Sequence, residues 1–398
     1  MEKNSAGNYQ IFEFYVIFLT ICVIPSVPVF IGEDIYTFII RLGIIFFLIL
    51  FYPYLRKDIN WLVGIYCGAI MLGFVFHKIQ GVDAKLFSEV LVRIVPVLVI
   101  SHYKYEQNYP NKIIKRFVIS FFVLECILAI YEKLTLSHLI DYDSDSQAMN
   151  VTMYLEEEFR SFSLFGHPLH NANIVSVILA FIICSNTVCK FPKVILVLLG
   201  LGAIWAFNSR ACMAMWLMII FYRLFLYGRS LKWMLTSLAL LVIILPSVFL
   251  YVQKTGALGR LDFDFTDSST LTRIMAFQIF ITYPWSLTNM LMGGVELEQP
   301  TFAAVGSGMS DYVLIENGYL LDLGYWGFLL GSIKILGEIM ISYKALYHFL
   351  FKDKIIVMLS LWGVASMNNN TFFSFLMPFF ICSFLAFGIN QSVDLEKQ

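Results

Sequence analysis

The sequence contains few charged residues. Only 14% of its 398 residues are Asp, Glu, Lys or Arg, whereas 59% are hydrophobic and 17% are aromatic. Soluble domains carry about 25% charged residues, so the composition excludes an ordinary soluble globular protein. The formal net charge is −1 and no basic tail or stripe occurs. This excludes a nucleic-acid-binding protein, because such proteins neutralise phosphates with clustered Lys and Arg.

Paired cysteine motifs are also missing. The seven cysteines lie mostly within apolar runs and form no CxxC pair. A disulfide framework or a structural zinc site would need such pairs at regular spacing, so we expect buried free thiols. The first apolar run, Ile11 to Ile31, is long and lacks a small-residue cleavage pattern. We therefore expect no cleavable signal peptide.

Long apolar runs recur along the whole chain. A transmembrane helix needs about 20 mostly apolar residues. The sequence therefore predicts an all-α polytopic membrane protein, with residues 1–398 forming a single integral membrane domain of about 12 transmembrane helices. The predicted spans are 12–31, 35–55, 60–77, 86–101, 114–131, 168–187, 192–208, 211–228, 231–253, 315–342, 355–369 and 371–390.

Lys and Arg residues concentrate in alternate connections between these spans. With the N-terminus in the cytoplasm, the cytoplasmic connections carry about twice as many Lys and Arg residues as the outer ones, in agreement with the positive-inside rule. Both termini are then predicted to be cytoplasmic. Two long loops, 132–167 and 254–314, are predicted on the outer face. The second is expected to be partly helical and lies between spans 9 and 10.

Some charged residues fall within predicted spans, where charge is costly and is usually functional. Arg41 has no charged partner within one turn and is predicted to face a polar cavity. Glu89 and Arg93 lie four residues apart, on one helical face, and can neutralise each other. A structural pair and a functional role both remain open for them.

The first long loop ends with Arg160 and leads through Gly166-His167-Pro168 into the sixth span. Proline suits the first turn of a helix because its missing N–H would be unpaired there. The free amides of this helix start, together with Arg160, His167 and His170, predict an anion site. The alternative is a helix start with interfacial histidines.

Two further polar clusters lie at predicted outer boundaries. Ser209-Arg210-Ala211 forms a tight turn between two spans, and Glu316-Asn317-Gly318-Tyr319 opens the tenth span. Either Glu316 or the nearby Asp322 can be considered as a general base. Asp262-Phe263-Asp264 formally matches a DxD motif, but we interpret it as loop charge and expect no metal.

In this order, the clusters resemble the O-antigen polymerase and ligase superfamily of bacterial envelope enzymes. The resemblance covers about residues 150–335. The residues that carry it are Arg160, Gly166-His167-Pro168, Ser209-Arg210-Ala211, Arg273 in the second loop, Gly293-Gly294, and Glu316-Asn317-Gly318-Tyr319-Leu320 with Gly324 and Gly327.

The resemblance implies a glycosyltransferase of the bacterial inner membrane that joins undecaprenyl-diphosphate-linked glycans without a metal or cofactor. Its partners would be the lipid-linked donor and acceptor, membrane lipids and, as a further candidate, a polysaccharide chain-length regulator. Arg160, Arg210 and Arg273 would hold the diphosphates or stabilise the leaving group. The other expected substrate-binding residues are Arg41, His170, Arg260, Asn317 and Tyr319.

One departure separates the two branches of the superfamily. The ligases have a histidine before the asparagine of the last motif, whereas this sequence has Glu316. This favours a polymerase, with Glu316 as the first candidate to activate the acceptor hydroxyl and His167 as the second. An O-antigen ligase remains the alternative within the superfamily. A transporter or flippase would instead use Arg41, Glu89 and Arg93 as a translocation path.

Overall fold

The computed structural model describes residues 61–81, 112–140, 159–223, 280–295, 317–347, 349–365 and 376–387, together with single positions within 13–27 and at 94, 97, 277 and 278. Within these residues every regular element is helical and no strand occurs. The predicted helical class is therefore confirmed for this part of the chain. The predicted spans 35–55 and 231–253, and most of 12–31 and 86–101, lie outside it.

The described helices follow one another in chain order. They are α1 (Trp61–Ile79), α2 (Lys112–Thr135), α3 (Pro168–Cys184), α4 (Lys190–Ala206), α5 (Arg210–Phe221), α6 (Leu287–Met292), α7 (Gly318–Ala345), α8 (Phe351–Met358) and α9 (Leu376–Phe387). A 3-10 turn, Ser163–Phe165, precedes α3, and a π-helix, Leu359–Ala365, continues α8.

The helix boundaries agree with the predicted spans to within a few residues for α1 to α4. The short connection between α4 and α5 separates two distinct helices, because Asn208 takes a left-handed conformation with φ 51°. Helix α6 confirms that the 254–314 segment is partly helical. The prediction for 315–342 needs a correction, since α7 is not one continuous helix.

Two helices, α1 and α7, are long and apolar enough to cross a membrane. The bundle also exposes large apolar side chains. On α1, Trp61 is 69% exposed and Ile79 is 73% exposed, and on α4, Phe191 is 76% exposed and Leu198 is 65% exposed. Contiguous apolar surface of this kind is rare on soluble proteins and marks contact with a membrane or another protein.

Helix α3 lies at the centre of the bundle. Every residue from Asn171 to Cys184 is buried, as expected for a helix that is apolar on all sides. It is packed against α2, α4, α5, α8, α9 and the π-helix. The two ends of α3 therefore organise the two ends of the described bundle.

The C-terminal end of α3 gathers basic residues, and we call this region the basic end. Lys115 Nζ donates to the Thr187 carbonyl over 2.8 Å, and Lys193 donates to the Ser185 carbonyl. Arg223 pairs with Asp353 at 3.2 Å. Lys115, Lys193 and Arg223 come from three of the connections that the positive-inside rule predicts to be cytoplasmic. Cations at free helix carbonyls are favourable because the helix dipole is negative there.

Helix α7 breaks at Gly327, whose φ of 78° and ψ of 167° are not helical. The two halves fold back on each other: a Cβ on Gly331 would lie 3.1 Å from the Asp322 carbonyl oxygen, and Lys334 contacts Asp322 at 2.5 Å. In a straight helix, residues 12 apart would be separated by about 18 Å. The first half therefore runs beside the second half as a short returning arm.

The depth of this arm follows from α1, which runs antiparallel to the second half of α7. Tyr66 lies at the level of Gly337, and His77 lies at the level of Tyr325. The break at Gly327 is thus level with the C-terminal end of α1. The arm from Tyr325 back to Gly318 extends from this end towards the interior of the bundle.

The described cysteines are all free thiols. Four of them are buried, as expected: Cys126, Cys184, Cys212 and Cys382. Cys189 is exposed and differs from the expectation, because it lies in the connection just before α4 rather than inside a helix.

Candidate functional site

The end of the first long loop is held by one carboxylate, Glu132, near the C-terminus of α2. Its Oε2 accepts hydrogen bonds from the Ser161 hydroxyl at 2.6 Å and from the backbone N–H groups of Phe162 and Ser163 at 2.8 and 2.9 Å. Its Oε1 accepts from the Leu139 N–H at 3.0 Å. We call this arrangement the Glu132 clamp. It therefore ties the start of the first long loop, at Leu139, to its end, at residues 161–163.

The clamp favours the ionised form of Glu132, which lies just beyond the predicted span 114–131. Burial alone would raise the pKa of this carboxyl group. Hydrogen bonds from His138, Leu139, Ser161 and Ser163 outweigh burial and lower the pKa below its ordinary value. A carboxylate that accepts several N–H and O–H bonds is stabilised as an anion. Glu132 is therefore a structural anion at neutral pH.

Arg160 lies immediately before the clamped residues and is half-buried. After the 3-10 turn, Gly166 takes a left-handed conformation (φ 64°) and directs the chain into α3. The helix begins at Pro168, as predicted, with His167 at the N-cap position. The rings of His167 and His170 lie 4.7 Å apart between centroids. The structure thus brings Arg160, His167 and His170 to one helix start.

His167 is held neutral at the start of α3. Burial, and next the positive charge of Arg160, lower its pKa to about 4. At neutral pH the ring is therefore uncharged, and its Nδ1 is buried. A neutral imidazole can accept a proton or a hydrogen bond, but with this pKa it is a weak base.

The turn before Arg210 lies against the last residues of the first long loop. The Ser161 N–H donates to the Ala206 carbonyl at the end of α4 over 3.2 Å. Lys133 donates to the Phe159 carbonyl at 2.8 Å, and its ammonium group lies 5.7 Å from the centre of the Trp205 ring. Helix α4 ends at Ala206, and after the turn Arg210 is the first residue of α5. The starts of α3 and α5 are therefore neighbours.

Buried polar side chains hold these helix starts together. Asn171 donates to the Phe162 carbonyl, Cys212 contacts the Asn173 side-chain oxygen at 3.5 Å, and the Trp216 indole N–H donates to the Ser176 hydroxyl at 2.9 Å. Buried polar groups of this kind fix relative helix positions, since an unmade hydrogen bond costs about 1–3 kcal/mol. We refer to the starts of α3 and α5 with the Glu132 clamp as the loop end.

The second predicted cluster, at the start of α7, is engaged in structural contacts. The Asn317 side chain caps the helix by accepting from the N–H groups of Tyr319 and Leu320 at 3.0 and 3.2 Å. The Tyr319 hydroxyl donates to the Trp362 carbonyl in the π-helix at 2.5 Å. Because this arm folds back, both residues lie beside the second half of α7 rather than beyond the break at Gly327.

Asp322 is not a free general base. It is buried and pairs with Lys334 at 2.5 Å, and Lys334 also pairs with Glu338 at 3.1 Å. The Tyr66 hydroxyl donates to Glu338 at 3.3 Å. This cluster links the two halves of α7 with α1. The two carboxylates compensate the buried Lys334 ammonium group for its loss of hydration. Removing one charged partner would leave an uncompensated buried charge, which strongly destabilises a protein.

The glycines of the resemblance meet at the break in α7. The Gly294 N–H donates to the Tyr325 carbonyl at 2.8 Å. A Cβ on Gly293 would lie 2.0 Å from that same carbonyl oxygen, and one on Gly327 would lie 2.5 Å from the Gly293 nitrogen. Both glycines also have positive φ. Only glycine fits at these two positions, because the two backbones touch there.

Several predicted site residues lie outside the described part of the chain. These are Arg41, Arg260, Arg273 and Glu316, as well as the pair Glu89 and Arg93. Among the described residues, no group of three or more His, Cys, Asp or Glu side chains is arranged to hold a metal ion.

Sequence reasoning missed Glu132 and Lys334. A Glu at the end of a span looks like an ordinary interfacial charge, and its partners are about 30 residues away along the chain. Lys334 and Glu338 did offer a signal, because opposite charges four residues apart within an apolar run form a pair on one helical face.

No protein-family model matches this chain, and no curated protein matches it significantly.

Proposed function

We propose that this protein polymerises undecaprenyl-diphosphate-linked oligosaccharide repeat units into a surface polysaccharide at the outer face of the bacterial inner membrane. The product would be an O-antigen, a capsule or an exopolysaccharide. The proposed placement is multi-pass, with both termini in the cytoplasm. The exposed apolar faces of α1 and α4, the two helices long enough to cross a membrane and the grouping of cations at the basic end support this placement.

One observation carries the proposal: the segment that the Glu132 clamp fixes, next to Arg160, is also bonded through the Ser161 N–H to the Ala206 carbonyl, just before the turn that precedes Arg210. Arg160, in the segment that leads into α3, and Arg210, the first residue of α5, are far apart in sequence but lie at the same end of the bundle. Helix starts and guanidinium groups both favour anions, and guanidinium binds phosphate oxygens through two parallel N–H bonds. The ligand chemistry that this arrangement suits is a diphosphate.

In the proposed reaction, an acceptor hydroxyl oxygen attacks the anomeric carbon of the donor sugar. A new C–O bond forms while the bond between that carbon and the diphosphate oxygen breaks, with inversion at carbon. The electron pair leaves with the undecaprenyl diphosphate, and the hydroxyl proton passes to a base. Arg160, Arg210 and Arg273 stabilise the charge that develops on the leaving diphosphate. Glu316 is the proposed base, with His167 as the second candidate.

The decisive experiment is reconstitution of the purified protein with undecaprenyl-diphosphate-linked repeat units. We expect a ladder of longer lipid-linked chains. Chains moved across the bilayer without lengthening would contradict the proposal. Transfer of a single unit to a different acceptor would instead support a ligase.

The proposed mechanism requires no metal ion, since arginines neutralise the leaving group. We therefore expect the same ladder in the presence of EDTA. Loss of extension in EDTA, restored by a divalent cation, would contradict the arginine mechanism. A matched reaction with EDTA already saturated with Ca²⁺ controls for effects of the chelator itself.

A transporter is the second candidate, and the broken helix α7 specifically favours it. Discontinuous helices and buried charges near the middle of the membrane are typical of secondary transporters. The Asp322–Lys334–Glu338 cluster beside the break has this character. A triple variant, Asp322→Asn with Lys334→Met and Glu338→Gln, removes the buried charges together and tests the distinction without leaving an uncompensated carboxylate. A transporter would lose translocation, whereas a polymerase with an intact fold would still extend chains.

A further inference from the structure

The described part of the 254–314 segment, residues 280–295, packs at the depth of the returning arm of α7. Phe280 is buried in a small cluster with Val295, Leu320 and Leu321. Leu320 and Leu321 lie on the arm, below the break at Gly327. Phe280 also contacts Phe328, with ring centroids 5.7 Å apart. If α7 crosses the membrane, this segment therefore lies at membrane depth rather than above the surface.

The composition of the segment agrees with this depth. No Asp, Glu, Lys or Arg occurs between Arg273 and Glu296. An aqueous loop of that length would ordinarily carry several charges, since about a quarter of the residues in soluble domains are charged. The chain from 277 to 292 thus carries no charged side chain, and its polar residues are all uncharged.

The segment also presents apolar side chains away from the bundle. Phe277 is 53% exposed, Ile281 is 63% exposed and Leu287 is 74% exposed, with Met290 and Leu291 at 41% and 40%. These values match those of the outward faces of α1 and α4, for example 65% for Leu198. The apolar belt of the bundle therefore continues onto this segment.

The irregular backbone of the segment is paired within the protein. The Trp285 N–H donates to the Tyr283 carbonyl at 2.8 Å, and the Trp285 indole N–H donates to the Phe280 carbonyl at 3.0 Å. The N–H groups of Gly294 and Val295 donate to α7 carbonyls at 2.8 and 3.3 Å. Non-helical backbone is tolerated at membrane depth when protein groups satisfy it in this way.

We infer that residues 277–292 re-enter the membrane and that their partner is the acyl-chain region of the outer leaflet. The segment is then a membrane-embedded part of a loop that charge counting alone places over the surface. This inference rests on the membrane placement in the proposed function, but not on the proposed reaction.

Spin-label accessibility in lipid nanodiscs tests the inference with three leucines that differ in position. Leu287→Cys reports on the segment, and Leu198→Cys reports on the outward face of α4. Leu139→Cys reports on the loop end, where Leu139 is 49% exposed. Each substitution is made with Cys189→Ser, which removes the exposed native thiol, and the Cys189→Ser protein alone gives the background. Collision rates with oxygen, which partitions into lipid, and with a water-soluble nickel chelate are compared.

We expect the label at position 287 to resemble that at 198, with oxygen collisions dominant, and to differ from that at 139. Nickel collisions at position 287 equal to those at 139 would overturn the inference, because the segment would face water. Protection from both reagents would also overturn it, because protein would then cover the segment. Chain extension is assayed on the same samples. An inactive protein with a lipid-exposed Leu287→Cys label would count against the proposed function and leave this inference standing.

Discussion

The two ends of the described bundle differ in the charged groups that make most of their hydrogen bonds. At the basic end, Lys115 and Lys193 bind backbone carbonyls and Arg223 pairs with Asp353. At the loop end, Lys133 also binds a backbone carbonyl, but the group with the most hydrogen bonds is an anion, Glu132, which accepts from N–H and O–H donors. Cations therefore hold the fold at one end. At the loop end, the Glu132 carboxylate fixes residues 161–163, and Arg160 immediately precedes them.

The contrast suggests why the loop end is the better candidate for chemistry. A site for an anionic ligand needs cations whose position is fixed by other groups. The Glu132 clamp fixes the backbone of residues 161–163, next to Arg160, through three hydrogen bonds of 2.6 to 2.9 Å. The following predictions test this difference between the two ends.

The largest effect is expected from Arg160→Ala. Removing one preorganised charge from a developing anion lowers the rate by about 100-fold or more, so we expect almost no chain extension from membrane-inserted protein. The matched variant at the basic end is Arg223→Ala, which removes the ion pair with the buried Asp353 and should lower stability. Per folded molecule it should still extend chains at a rate within about threefold of the wild type, because Arg223 lies at the other end of the bundle. Equal losses in the two variants would remove the functional distinction between the ends.

Gly327→Ala should strongly destabilise the break in α7. The new Cβ would lie 2.5 Å from the Gly293 nitrogen, at a φ of 78°, so several kcal/mol of destabilisation is expected from strain and overpacking. Gly68→Ala in α1 is the control, since nothing lies within 4 Å of its Cβ position. Thermal unfolding in nanodiscs provides the measurement. An unchanged midpoint in Gly327→Ala would contradict the break in α7.

Glu132→Gln should lower stability by about 2–4 kcal/mol, because an amide has one acceptor oxygen and leaves buried donors unpaired. Extension should fall as well, since Arg160 loses its fixed position. The comparable change at the basic end, Asp353→Asn, removes one ion pair with the partly exposed Arg223 and should cost only about 1 kcal/mol. Denaturant unfolding compares the two variants. A larger loss in Asp353→Asn would reverse the proposed roles of the ends.

The smallest effect is a pH dependence that arises at the loop end. The pKa of His167 is lowered to about 4 from 6.5, so the unfolded chain binds its proton first as the pH falls. Stability is therefore fully present above pH 6.5 and declines between pH 6.5 and 4. His167→Gln should reduce the dependence of the thermal midpoint on pH in that window, and the remaining slope would come from other titratable groups, including the adjacent His170. The same slope in the variant would assign the titration elsewhere.

The lowered pKa of Glu132 makes the stability of the fold depend on pH in a more acidic range. Its contribution to stability is present above the unfolded-state pKa of about 4 and is lost as the pH falls through the lower folded-state value. The additional acid destabilisation below pH 4 should therefore disappear in Glu132→Gln. It should persist in His167→Gln, which separates the two groups.

The sequence predicted the helical class and several boundaries, since spans and the Pro168 helix start depend on local signals such as apolar length and proline geometry. It did not predict the break in α7. Mean hydropathy is the same for a straight helix and for one that folds back, and the break depends on Gly293, more than 30 residues earlier in the chain. Long-range contact, rather than local propensity, determines this feature.

The candidate site was predicted in part for the same reason. Arg160 and His167 are close in sequence, and the structure brings them together as expected. The neighbouring positions of the α3 and α5 starts depend on the Ser161–Ala206 hydrogen bond, which no local pattern indicates. Glu132 was missed because its importance comes from the donors that fold around it and not from its neighbours in sequence.

The central claim is that the loop end binds and stabilises the diphosphate as it leaves the donor sugar. The most direct measurement is the release of undecaprenyl diphosphate during chain extension by the reconstituted protein, together with the number of new glycosidic linkages. We predict one molecule released for each linkage formed, with both quantities reduced together in Arg160→Ala. Substrate crossing the bilayer with no diphosphate released, or undiminished release from Arg160→Ala, would contradict the claim.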